Sequence, residues 1–214
     1  MNSIVTNQLE AKCLAFLQLQ ACADAAHKLD HIMRVVGLAT LFCQQEDAKL
    51  AVVLPAAYLH DCVTLAKNHL QRANASMLAA DKAVAFLTDI DYPADYLADI
   101  HHAIVAHSYS GQVKPQTLEA KIVQDADRLD ALGAIGISRC IQVGSGLGRD
   151  LYHANDPLCE QRTPNDTLYT IDHFFTKLLL IQDTVHTDAA KKEAKIRTQF
   201  MQRFLTQLKS ELSF

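Results

Sequence analysis

Apolar residues recur along this chain at three- and four-residue intervals, segment after segment, with polar positions between them. Residues 7–21 place Leu9, Cys13, Phe16 and Leu17 on one helical face. Residues 29–44 do the same with Ile32, Val35, Val36, Leu38, Ala39, Leu41 and Phe42. From Ala48 to His60 the sequence is almost uniformly apolar, which predicts a buried helix. Pro55 inside it removes one backbone donor and predicts a bend or a late start. Asn74 or Ser76 can cap a fourth helix that runs to about Thr88. The Asp91-Tyr92-Pro93 segment opens a fifth helix, with Pro93 in its first turn, that reaches about His107. Residues 108–111 read as a loop.

Pro115 and Thr117 introduce a long helical segment from Leu118 to about Ile141. Its apolar stripe is Ile122, Ala126, Leu129, Ala131 and Leu132. Gly133 and Gly136 weaken it, predicting a close helix contact or an early break. Residues 142–166, rich in turn formers, predict an irregular loop or lid. Helices resume at about Tyr169–Ile181 and Ala189–Glu211. No strand, repeat or linker is expected. The reading is all-α and single-domain over 1–214, with a core of about 25–140 and a C-terminal helical extension over 167–214.

Composition narrows this further. The chain has 214 residues, enough to bury a full core, and only seven Gly and five Pro, which leaves room for long helices. No run of about 18 apolar residues occurs, and the N-terminal segment lacks a basic stretch followed by an apolar one. A cytoplasmic protein is expected. A net charge of −4 without long basic runs argues against an extended nucleic-acid surface, while leaving room for one basic phosphate pocket. The cysteines (Cys13, Cys22, Cys43, Cys62, Cys140, Cys159) form no Cys-x-x-Cys pair and read as reduced packing residues.

The chemistry concentrates at His60-Asp61, which closes the apolar third helix. A second His and a second Asp from other helices would complete a mixed N/O set for a divalent ion. His31 is available if the second and third helices are antiparallel neighbours, because Asp30-His31 opens the second. For the distal acid, Asp125 and Asp127 compete; they are about 200° apart on a helix, so only one can face the ion. Glycine-rich and serine-nucleophile readings fail: GSGLG at 144–148 follows no strand, and no G-x-S-x-G or Walker motif is present.

His31 in HIMRV, HD at 60–61 and ADRLDALG at 126–133 resemble the H…HD…D pattern of HD-domain metal-dependent phosphohydrolases. A closer resemblance, to the small bacterial YedJ-like group, extends through AAHKLDHIMRV, YLHDCVTLAKNHLQR, IVAHS, EAKIVQDADRLDALGAIGISR and DHFFTKLL. Leu70 stands where that group usually has Pro, and Met33 where it usually has a second Arg.

The resemblance implies a single divalent ion (Mn, Mg, Ni or Fe) held by His31, His60, Asp61 and Asp127, with Asp125 the fallback. It favours Lys67 and Arg72, with Arg128 alongside, as phosphate-binding cations. His107 or His27 would supply the proton-transfer group, and the sequence leaves both open. The expected function is hydrolysis of a phosphate ester or anhydride, by resemblance a nucleotide, through metal-activated water. Phosphatase, pyrophosphohydrolase and phosphodiesterase outcomes share this set. The competing expectation is a non-catalytic regulatory module that senses a nucleotide or metal with the same pocket. Partners reduce to a phosphorylated small molecule, with no membrane and a homodimer left open.

Overall fold

Nine α-helices and two short 3-10 turns make up the regular structure of the computed structural model, which describes residues 3–19, 25–63, 74–108 and 111–212. The helices are α1 (Ser3–Leu19), α2 (Ala25–Gln45), α3 (Leu50–Leu59), α4 (Ala75–Asp89), α5 (Leu97–His107), α6 (Leu118–Leu129), α7 (Gly133–Gly146), α8 (Asp172–Thr176) and α9 (Asp188–Leu212). Among the described residues there is no strand, and an isolated bridge joins Asp150 to Tyr169. No helix of these residues is long and apolar enough to cross a membrane. The chain divides into two compact units. The first comprises residues 1–127 with 186–189, and the second 128–185 with 190–214.

In the first unit, α3 lies against α1, α2, α4 and α5. Every residue from Val52 to Leu59 is buried, as a helix apolar on all sides requires. Its neighbours need only one apolar face each. On α2 that face is Ile32, Val35, Val36, Ala39, Phe42 and Cys43; on α4 it is the small set Ala79, Ala80 and Ala83 with Leu87. Phe16 of α1 stacks on Phe86 of α4 with ring centroids 4.2 Å apart.

Pro55 does not delay the start of α3, which begins at Leu50. The donor it lacks would have served the Ala51 carbonyl four residues earlier. The Tyr92 hydroxyl donates to that same carbonyl at 2.6 Å. A side chain from another segment therefore replaces the missing rung, and the helix continues through the proline.

Helix α2 starts at Ala25, upstream of the expected residue 29, since Ala25, Ala26, Lys28 and Leu29 are good helix formers. His31 thus lies in its second turn. Thr117 caps α6, its hydroxyl accepting the Ala120 N–H at 3.1 Å. The stretch expected as one helix from Leu118 breaks at Gly133, whose φ of +70° suits glycine.

The second unit buries Ile171, Phe174, Leu178, Met201 and Leu205, with Phe174 stacked on Phe204. Helix α7 continues to Gly146, past the expected end at Ile141. The helix-free residues 147–171 are held by buried Asp172. Its carboxylate takes two guanidinium donors from Arg162, at 2.5 and 2.6 Å, and the Asn165 N–H at 2.6 Å.

Replacing Tyr92 with Phe leaves the Ala51 carbonyl short of its donor. The loss is about 0.5–1.5 kcal/mol, or a few degrees in melting temperature for a chain of this size. In a Pro55→Ala background, where the helix regains its own donor, the same substitution costs less. Thermal melts of the four proteins in this cycle read the coupling directly.

Candidate metal centre

Where α3, α5 and α6 end, five polar side chains of the first unit converge. His60 follows the last residue of α3, Asp61 comes next, His107 is the final residue of α5, and Asp127 lies near the end of α6. His31 joins them from α2. Helix C-termini carry partial negative charge, so three of them ending together favour a cation.

The two buried histidines are oriented by the same device. Each ring turns back onto the carbonyl three residues earlier in its own helix, which for His60 is one of the carbonyls that a helix end leaves without a partner. His60 Nδ1 donates to the Ala57 carbonyl at 2.8 Å and His107 Nδ1 to the Ile104 carbonyl at 2.6 Å. Because a carbonyl can only accept, the proton sits on Nδ1 of each neutral ring. Each Nε2 then presents a lone pair to the cluster.

The cluster is tight. His31 Nε2 lies 3.4 Å from His60 Nε2 and 3.3 Å from Asp127 Oδ1. His60 Nε2 is 3.9 Å from both Asp127 Oδ1 and Asp61 Oδ2, while Asp61 Oδ1 faces His107 Nε2 at 3.6 Å. Two donors bound to one ion at about 2.0–2.2 Å can be at most about 4.4 Å apart, and every one of these separations fits. Lone pairs of neutral imidazoles facing carboxylate oxygens repel unless a proton or a cation lies between them. The donor set therefore fits a divalent ion with mixed N and O ligands, and His31, His60 and Asp127, or His60, Asp61 and His107, form groups able to hold one.

Electrostatics agree. Burial of His60, which is fully enclosed, pushes its pKa down and keeps the ring neutral. Burial would also depress His107, but the Asp61 carboxylate 3.6 Å from its Nε2 and the charge of Asp127 outweigh that and raise it. Burial raises Asp61 and Asp127 less than the surrounding histidines lower them, so both carboxyls stay ionised well below their usual range.

Of the residues expected at the site from sequence, His31, His60, Asp61, Asp127 and His107 are brought together. His27 is on α2, one turn before His31, and its side chain lies outside the described ones. Lys67 and Arg72 also lie outside the described residues. Arg128 donates to the Thr184 carbonyl at 2.5 Å, within the second unit. Asp125, the fallback acid, faces elsewhere: fully buried, it accepts the backbone N–H groups of His186 and Thr187 and the Thr187 hydroxyl. Cys62 donates its thiol to the Ala79 carbonyl, and burial pushes its pKa to about 12, so it acts in packing.

Family comparisons meet this geometry. The HD domain family model matches residues 29–132. The YpgQ protein of Bacillus subtilis is 32% identical over 193 residues, covering 88% of this chain and 86% of that protein. The chain belongs to the HD-domain superfamily. A crystal structure of B. subtilis YpgQ in complex with ADP superposes with a TM-score of 0.70 at 28% identity, over 95% of this chain and 96% of that one. An HD-superfamily hydrolase from Bacillus thuringiensis superposes with a TM-score of 0.73 at 29% identity, over 96% of each chain.

Two aspartates on α6 separate metal binding from folding. Asp127→Ala should lose bound metal while melting close to the parent protein. Asp125→Ala should keep metal stoichiometry but unfold earlier, since the two buried Thr187 donors lose their acceptor at about 1–3 kcal/mol each and the half-buried His186 N–H loses one as well. Elemental analysis and thermal melts of the two variants check both outcomes.

Proposed function

We propose that this protein is a metal-dependent phosphohydrolase acting on a nucleotide, with one divalent ion held by His31, His60, Asp61 and Asp127. The convergence of imidazole lone pairs and ionised carboxylates carries this reading, because such a set is organised to hold a cation. The nucleotide is supported by the ADP complex of B. subtilis YpgQ. When bound, the ion would supply Lewis acidity, lowering the pKa of water and polarising a phosphoryl oxygen.

The chain's own residues divide the remaining work. His60 and His31 supply neutral donors. Asp61 and Asp127 supply the negative charge that offsets the cation. Asp61 also faces His107 Nε2 with its second oxygen at 3.6 Å, which places that ring to pass a proton to a leaving oxygen. Lys67 and Arg72 would neutralise phosphate oxygens, Arg72 through its bidentate fork. His27 and Arg128 stand as auxiliary groups of the same reading.

The decisive experiment is a screen of phosphorylated metabolites, nucleotides foremost, against protein loaded with Mn²⁺, Mg²⁺ or Ni²⁺. Turnover that chelation abolishes and metal restores supports the proposal; nucleotide binding without turnover under all three metals leaves the sensing module instead. Asp61→Ala should lose both metal and turnover while keeping its helical spectrum.

Lys67→Ala and Arg72→Ala should behave differently, retaining metal and losing about ten- to hundredfold in kcat/KM, the effect of a charge-assisted contact of roughly 1.5–3 kcal/mol. Unchanged kinetics in the double variant would return those two residues to the solvent-exposed surface.

A further inference from the structure

One buried side chain touches the helices of two site residues without belonging to the site. Gln124 of α6 is only 3% exposed and uses both ends of its amide. Its Nε2 donates to the Ala106 carbonyl at 2.6 Å, and its Oε1 accepts from His186 Nε2 at 2.7 Å. Ala106 immediately precedes His107. Helix α5 ends there, since Ser108 is already extended with ψ of 126°. The carbonyls from Val105 onward therefore have no donors within the helix. Gln124 takes the Ala106 carbonyl among them, while the His107 ring bonds the Ile104 carbonyl just before them.

The two bonds depend on each other. His107 can hold its Nδ1 proton on the Ile104 carbonyl only while the last turn of α5 remains helical, and helix ends fray when their carbonyls are unpaired. Gln124 prevents that by pinning Ala106. It is itself fixed from the far side, because His186 and Thr187 anchor their backbone N–H groups on Asp125 while the His186 ring reaches Gln124. Asp127 lies one turn further along α6 from Gln124, so both share a side of that helix. A single amide thus registers the helix that carries the Asp127 carboxylate against the helix that ends in His107.

The geometry points to Gln124 as a positioning residue of this centre, acting on His107 through the last turn of α5. The inference rests on the functional reading above only for its kinetic arm. Gln124→Met keeps the length and apolar fit but removes both hydrogen bonds. It should retain metal and lower kcat roughly ten- to hundredfold with KM little changed, the scale of an approximately 1 Å misplacement of a reacting group. In a His107→Asn background the same substitution should add nothing.

A second arm needs neither metal nor turnover. In metal-free protein at alkaline pH, imidazole ¹⁵N shifts should place the His107 proton on Nδ1 in the parent and over both nitrogens in Gln124→Met. Should that variant fail to fold, Gln124→Glu, which keeps the shape but turns a carboxylate towards the Ala106 carbonyl, is read in the same way. Equal losses in both backgrounds, or a His107 signal unmoved by either substitution, would overturn the assignment. If the parent protein hydrolyses nothing, the functional reading fails, and the ¹⁵N arm still decides the role of Gln124.

Discussion

A helix must leave its last carbonyls without partners, and this chain uses that obligation to build its centre. At the ends of α3 and α5 a histidine occupies the position from which its ring can turn back onto the carbonyl three residues earlier. The bond stops the ring rotating and fixes the tautomer of the neutral ring in one step, and at α3 it also satisfies an orphan acceptor, the Ala57 carbonyl. Burial then keeps His60 neutral. Orientation at the centre is thus supplied by the same interaction that terminates the helices.

The charge balance follows from the same arrangement. The imidazoles are enclosed, with His60 fully buried, while the Asp61 side chain remains 42% exposed and that of Asp127 28%. Neutral donors therefore form the inner wall, and the anionic donors stand on the solvent side. A cation approaching from water meets negative charge first and lone pairs behind it.

Much of this was legible in the sequence. The periodicity of 29–44 marks a core face apart from the exposed Leu41, that of the segment from Leu118 holds as far as Leu129, and the uniformly apolar run into His60-Asp61 marks a helix enclosed by its neighbours. What failed to show were interactions between distant residues. Pro55 suggested a bend or a late start, because nothing local reveals that the Tyr92 hydroxyl would serve the carbonyl it left open. Periodicity could not separate Asp125 from Asp127, since the distinction lies in what surrounds each face: His186 and Thr187 on one, three histidines on the other. Gln124 raised no signal at all. A buried glutamine beside an apolar stripe has meaning only once the end of α5 is placed against it.

The donors that hold Asp125 come from residues 186–187, well beyond the segment that carries the five clustered histidines and aspartates. A fragment ending before them would retain every one of those side chains and still contain a buried carboxylate stripped of its partners. The cooperative unit is therefore discontinuous along the gene. Moving residues 29–132 as a cassette would carry the clustered side chains while leaving behind the donors that keep Asp125 paired.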